Sequence, residues 1–192
     1  MINEKIRCGW VNKANKLYID YHDKEWGLPC HDDRLHFEML SLEGAQAGLS
    51  WEAVLKKRDA YKKLFYNFEP EKVAKMSDKQ LESLLSNSAI IRNRLKVFSV
   101  RKNAIVYQQI QEEYESFDKY IWRFANNSSI QNCWKNISEI PSSTKESSAI
   151  GLDLKKRGMS FVGETIIYAY MQATGLVNDH LIDCFRYNEL KA

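Results

Sequence analysis

An all-α fold is what this chain predicts, on three observations. From Asp32 onward apolar residues recur every three or four positions, as in Leu35, Met39, Leu42 and Ala45, the spacing that lines one face of a helix. Capping residues stand ahead of such runs: Asp32 or Asp33, Ser50, Ser77 followed by Gln80, and Ser143 followed by Glu146. Each can satisfy N–H groups that a helix start leaves unpaired. Period-two alternation of β-branched residues, the mark of strands, is almost absent. At 192 residues the chain can bury one substantial core or two lobes sharing a cleft. A single unit over 1–192 is expected.

Residues 7–31 break the helical rhythm. Trp10, Tyr18, Tyr21 and Trp26 crowd there with Cys8 and His22, so loop with short helical turns is expected. The helix opening at Asp32 carries Glu43 and stops near Gly48, a residue free to leave helical geometry. Ser50 caps the next helix, with Trp51 in its first turn. Pro70 suits the first turn of another, and the Ser77–Gln80 box precedes Leu81, Leu84 and Leu85. A long helix from about Ile90 is expected to bury Ile91, Leu95, Phe98, Ile105 and Tyr107. Phe117–Phe124 reads as an aromatic turn or two, and 126–142 as irregular chain. The helix opened by Ser143 and Glu146 ends at Lys155-Lys156-Arg157; Gly158 then suits a left-handed C′ position. Gly163 lets backbone come close to a neighbour, and a second helix runs to Gly175. Its start presents free N–H groups and a positive dipole end, which suits a phosphate. An ordinary helix hairpin with a basic surface would carry the same pattern.

Net charge is only +3, so the total carries no argument for a polyanionic partner. Between Ser83 and Gln111 there is no acidic residue, while Arg92, Arg94, Lys96, Arg101 and Lys102 fall there. That is a basic face suited to weak phosphate contact, or a solvated helix face. No signal peptide, long apolar run or lipidation motif is present, so a cytoplasmic protein without a membrane partner is expected. Its four cysteines are then thiols or metal ligands rather than disulfides. Cys8, His22, His180 and Cys184 are the right types for a tetrahedral zinc site, and His180 and Cys184 would face the same way on a helix. Such a pair also arises by chance, so spacing alone leaves the site open. Four protein ligands would leave no place for an activated water, making the metal structural. Cys30 and Cys133 are expected as buried thiols, His31 and His36 as surface or loop histidines.

The segments RCGWV, YHDKEWG, FEMLSLEGAQAGLSW, VLKKR, AIIRNR, SEIPSST and RGMSFVGETIIYAYMQATGLVNDH, in that order, resemble the bacterial 3-methyladenine DNA glycosylase I family. This is a branch of the helix-hairpin-helix glycosylases, and the resemblance runs from Arg7 to Cys184, thinning between Gln109 and Lys135. It implies one structural zinc on Cys8, His22, His180 and Cys184, joining the N- and C-terminal segments. It puts a base-pocket carboxylate on Glu43 and stacking aromatics on Trp10, Tyr18, Tyr21 and Trp51, with Trp26 lining the same cavity. The DNA-gripping hairpin falls on Lys156, Arg157, Gly158, Met159, Ser160 and Gly163, and a loop pressing on the duplex gap on Gly48 and Leu49. A monomer acting on double-stranded DNA with alkylated bases follows. Bifunctional relatives carry a lysine where this chain has Thr165, so no Schiff base and no strand cleavage are expected. Where many superfamily members place an aspartate, this chain has Asn178, with Asp179 one step on.

The chemistry suits these residues. A base must leave the stack and be held between flat side chains, and adenine methylated at N3 is cationic in the nucleotide. Stacked on Trp or Tyr it gains about 0.5–2 kcal/mol over a neutral base. Its leaving group departs neutral, so a pocket with one carboxylate and no acid partner suffices. Without the resemblance, Glu43 reads as a helix-surface glutamate and the aromatics as core. The alternatives are a zinc-stabilised DNA-binding module without catalysis, a zinc hydrolase, and a glycosylase for other alkylated purines.

Overall fold

The computed structural model describes residues 5–191. Among them eleven α-helices run in chain order: α1 Lys16–Lys24, α2 Asp33–Gln46, α3 Trp51–Leu55, α4 Arg58–Leu64, α5 Pro70–Ala74, α6 Asp78–Leu84, α7 Arg94–Tyr114, α8 Phe117–Trp122, α9 Lys145–Lys156, α10 Glu164–Ala173 and α11 Phe185–Glu189. The only strands among the described residues, β1 Ile130–Gln131 and β2 Val177–Asn178, form one short parallel ladder. It ties the irregular 126–142 segment to the chain beyond α10. The expected helical class holds.

α2 is the axis of the molecule. From His36 to Ala45 every residue is buried, because α3, α7, α8 and α10 all pack against it. A helix covered on all sides has no single apolar stripe, so the spacing of Leu35, Met39 and Leu42 describes only part of its buried surface. Its polar residues therefore need partners. Glu38, fully buried, meets Arg58 at 2.6 Å, Lys62 at 3.2 Å and Arg34 at 3.3 Å. His36 is buried as well, correcting its expected surface position. Tyr170 Oη lies 2.6 Å from its Nδ1 and Asp118 3.3 Å from its Nε2.

The expected caps at Asp32, Ser50 and Ser77 are present, the last with its reciprocal Gln80 box, and Pro70 opens α5. α9 starts one residue later than read: Thr144 caps it with Ser147, not Ser143 with Glu146. The long helix also differs. It opens at Arg94 under an Asn93 cap and buries Val97, Val100, Ala104 and Tyr107, while Leu95 and Ile105 lie exposed. The sequence carries two apolar stripes there, and polar neighbours decide between them. Lys96 is buried and donates to Ala45 O at 2.8 Å and Ala47 O at 2.6 Å, a cation on the carbonyl end of α2. Asn103 Nδ2 donates to Ser160 O, and its Oδ1 accepts from Ser160 N, both at 2.9 Å. Both bonds require the Val97–Ala104 face to turn inward. Lys96 thus leaves the basic face, and Arg94 and Arg101 are paired with Glu82 and Asp78.

Candidate active site

α2 carries Glu43 to the wall of a cavity of about 300 Å³, at the small end of the range for small-molecule sites. Around it stand Trp10, Tyr18, Tyr21, Trp26 and Trp51. The five expected aromatics and the expected carboxylate therefore share one opening. The rings brace one another: Trp10 lies edge-on to Tyr18 at 5.3 Å and to Trp26 at 5.0 Å, and Tyr21 tilts against Trp51 at 5.3 Å. Edge-to-face pairing leaves ring faces available to a flat ligand.

Glu43 differs from Glu38 one turn and a half earlier on the same helix. No cation meets it, and its Oε2 is buried without a hydrogen-bond partner. Burial pushes its carboxyl up to about 8. Trp51 Nε1 is likewise buried and unpaired, so the wall holds one orphan acceptor group and one orphan donor. Buried polar atoms are nearly always satisfied; two unsatisfied ones in a single cavity mark a place built for a ligand. Burial and the nearby Glu43 also raise the Tyr21 hydroxyl.

Cys8, His22, His180 and Cys184 converge, all buried, with their ligand atoms within 4.8 Å of one another. The convergence does not come from a helix. His180 and Cys184 flank a turn, and Cys184 is the N-cap of α11. Three sulfur–nitrogen separations, Cys8–His180, Cys184–His22 and Cys184–His180, are each 3.5 Å. Zn–S and Zn–N bonds of about 2.3 and 2.05 Å at a tetrahedral angle span about 3.6 Å, so these separations fit tetrahedron edges. The far ring nitrogens fit as well: His180 Nε2 donates to Trp26 O at 3.1 Å, and His22 Nδ1 meets Asp23 Oδ1 at 2.8 Å. Each imidazole then turns its other nitrogen to the cluster centre, the usual outer-shell arrangement of metal-bound histidines. The two thiols lean on each other; that contact and burial raise Cys8, while the same contact holds Cys184 low. Cys30 is buried as expected, but Cys133 is exposed, 3.2 Å from the Tyr187 hydroxyl. Its segment is surface chain with no periodic burial.

The hairpin between α9 and α10 has Gly158 at φ +106° and Phe161 at φ +57°. Phe161, Val162 and Gly163 donate no backbone hydrogen bond among the described residues. Lys156 is exposed, whereas Arg157 is engaged by Glu113 and Asp153 and Met159 is buried. Ser160 is pinned by Asn103 and reached by Lys102 at 2.9 Å. Gly48 turns at φ +76°, and Leu49 is 44% exposed beside it. Sequence reasoning missed Gln46, Ile137, Ile140, Ala169 and Gln172, which complete the cavity. Gln46 lies three residues from Glu43 on α2, so helical spacing could have found it. Ile140 falls in the SEIPSST segment, but no local pattern marks it or Ile137 as lining a cavity.

A helical scaffold around a ring-lined cavity with one buried carboxylate is the frame of a base-excising enzyme. The chain belongs to the methyladenine glycosylase family, whose model matches residues 10–187. It is 48% identical over 181 residues to DNA-3-methyladenine glycosylase 1 of Escherichia coli, covering 94% of this chain and 96% of that one. The crystal structure of a 3-methyladenine DNA glycosylase I superposes with a TM-score of 0.91 at 46% identity, covering 94% of this chain and 98% of that one. A tyrosine-to-phenylalanine variant of such an enzyme, in complex with 3-methyladenine, matches with a TM-score of 0.90 at 34% identity over 93% and 96% of the two chains.

Proposed function

We propose that this protein excises 3-methyladenine from alkylated double-stranded DNA by hydrolysing its N-glycosidic bond. The observation that carries this is Glu43, a buried carboxyl left without a partner in a cage of aromatic rings. The flipped base enters between the rings, and its positive charge draws the carboxyl of Glu43 down from about 8, since an opposite charge favours ionisation. The carboxylate then holds the cation and accepts from the exocyclic amine. A neutral purine offers no such charge and leaves Glu43 protonated. Charge on the base also weakens the glycosidic bond, because the departing purine is neutral. Thr165, exposed on α10, offers no amine, so the product is an abasic site in an unbroken strand.

The hairpin grips backbone phosphate through the free N–H groups of residues 161–163 and the exposed Lys156, in the manner of helix-hairpin-helix proteins. Arg157 and Met159 serve by holding the hairpin in shape. Gly48 and Leu49 press on the gap left in the duplex. Cys8, His22, His180 and Cys184 hold one structural zinc, which when bound locks the N-terminal loop to the turn before α11. The enzyme acts as a single-unit monomer in the cytoplasm. Incubation with methylated DNA, with freed bases separated by chromatography, tests the proposal: 3-methyladenine is released by the wild type and not by Glu43→Gln. Absence of any freed methylated base refutes it.

A further inference from the structure

Gln172 lines the cavity from α10, and its amide is not free to choose its orientation. Its Nε2 lies 2.7 Å from Asp179 Oδ2. Asp179 is 1% exposed and takes three more donors: Tyr168 Oη at 2.5 Å on the same oxygen, Asn132 Nδ2 at 2.7 Å and Trp134 Nε1 at 2.8 Å on the other. A carboxylate ringed by donors can only accept, so the NH₂ of Gln172 must face it. The carbonyl oxygen is left over, and Gln172 Oε1 accepts no hydrogen bond among the described residues.

We propose that Asp179 is a positioning residue that fixes Gln172 with its carbonyl toward the cavity, so that the pocket accepts from a purine bearing a 6-amino group and rejects a 6-oxo purine in the same seat. This rests on the cavity being the base pocket. An amine donates to the Gln172 carbonyl; a 6-oxo group opposes oxygen to oxygen and leaves both unpaired, a loss that discriminates more strongly than an added methyl group.

The arrangement predicts an inversion. In Asp179→Asn, Trp134 can only donate, so the asparagine oxygen stays on its side and the new NH₂ faces Tyr168 and Gln172. Tyr168 can rotate its hydroxyl to accept, and Gln172 must turn over, presenting NH₂ to the cavity. Release of 3-methyladenine and 3-methylguanine from methylated DNA is measured for wild type, Gln172→Met and Asp179→Asn, with metal content followed in each. Gln172→Met is expected to release 3-methyladenine roughly tenfold less efficiently through KM, the worth of one such bond, and 3-methylguanine, freed of the opposing oxygen, more efficiently than wild type. Asp179→Asn is expected to shift the ratio further toward guanine at unchanged metal content. Proportionate losses for both bases in Gln172→Met mean a structural role and overturn the inference, whatever Asp179→Asn does. Quenching of tryptophan fluorescence by free 3-methyladenine tests the underlying reading separately. No saturable quenching in the wild type removes the cavity as the base seat, and the inference with it.

Discussion

Replacing Glu43 by glutamine separates what the residue does for catalysis from what it costs the fold. Its carboxyl, ordinarily 4.5, is pushed up to about 8 by burial. The unfolded chain therefore releases this proton near its ordinary value while the folded chain retains it. A group whose folded pKa is raised stabilises fully below the unfolded value and loses that contribution as pH rises through the folded one. Over the three pH units from about 5 to about 8 the wild type should lose about 4 kcal/mol relative to Glu43→Gln, at about 1.36 kcal/mol per unit. Every other titrating group is common to both proteins and cancels. Urea unfolding of the two across that range gives the difference directly. The expected result is a glutamine variant that is more stable at alkaline pH, with the gap closing in acid, and that fails to release 3-methyladenine. Parallel stability curves would mean that Glu43 is solvated in the folded protein, and the argument from its isolation would fall. A variant as active as wild type would remove the carboxylate from the chemistry.

The remaining expectations are more direct. Purified protein should contain one zinc per chain by metal analysis; Cys184→Ser should lower that content and cost at least about 3 kcal/mol of stability, read from thermal melts, because binding energy at a structural site is folding energy. The DNA product run on a gel before alkali should be full length, with breaks only after alkali; direct breaks would call for an amine nucleophile the site lacks. Gly175→Ala should destabilise by about 3 kcal/mol or more in chemical unfolding, since Gly175 sits at φ +70° and a Cβ there would lie 2.4 Å from the Leu28–Pro29 backbone.

What the sequence made legible follows a physical line. Caps are local: Asp32, Ser50 and Ser77 each accept from the N–H three residues on, so their chemistry is written beside them. Burial is not local. The inward face of α7 is chosen by Lys96 reaching the end of α2 and by Asn103 holding Ser160, contacts across about fifty residues of chain. His36 read as a surface histidine because its partners Tyr170 and Asp118 are remote in sequence. The site divides the same way. Glu43 and most of the aromatics and cluster residues fall in the motif segments, with Tyr18 and Cys184 just outside them, whereas the place of Ile137, Ile140 and Gln172 in the cavity is visible only in the fold. The one wrong premise about the cluster, a helix between His180 and Cys184, did no harm because a turn also brings residues four apart together.

The Cys8–His22–His180–Cys184 cluster and the aromatic cavity form one device rather than two neighbours. Trp10 and Trp26 sit on a segment with little regular structure, and a ring on a loop is a poor stacking surface unless something stops it moving. That something is adjacent: Trp10 packs at 5.3 Å on His22, and Trp26 at 4.6 Å on His180. Trp26 also gives its carbonyl to His180, and Asp23, beside His22, is paired with Arg7 at 2.8 Å. Fixing the two imidazoles fixes the two indoles. The opposite wall, Glu43 and Trp51, needs no such tie, since α2 is buried from His36 to Ala45 and Ser50 caps α3. A rigid helical wall carrying the Glu43 carboxyl and a loop wall held by four converging side chains together give a slot whose width is set before any ligand arrives. Loss of the cluster should then weaken stacking of free 3-methyladenine even where the helical core stays folded, while leaving the isolation of Glu43 intact.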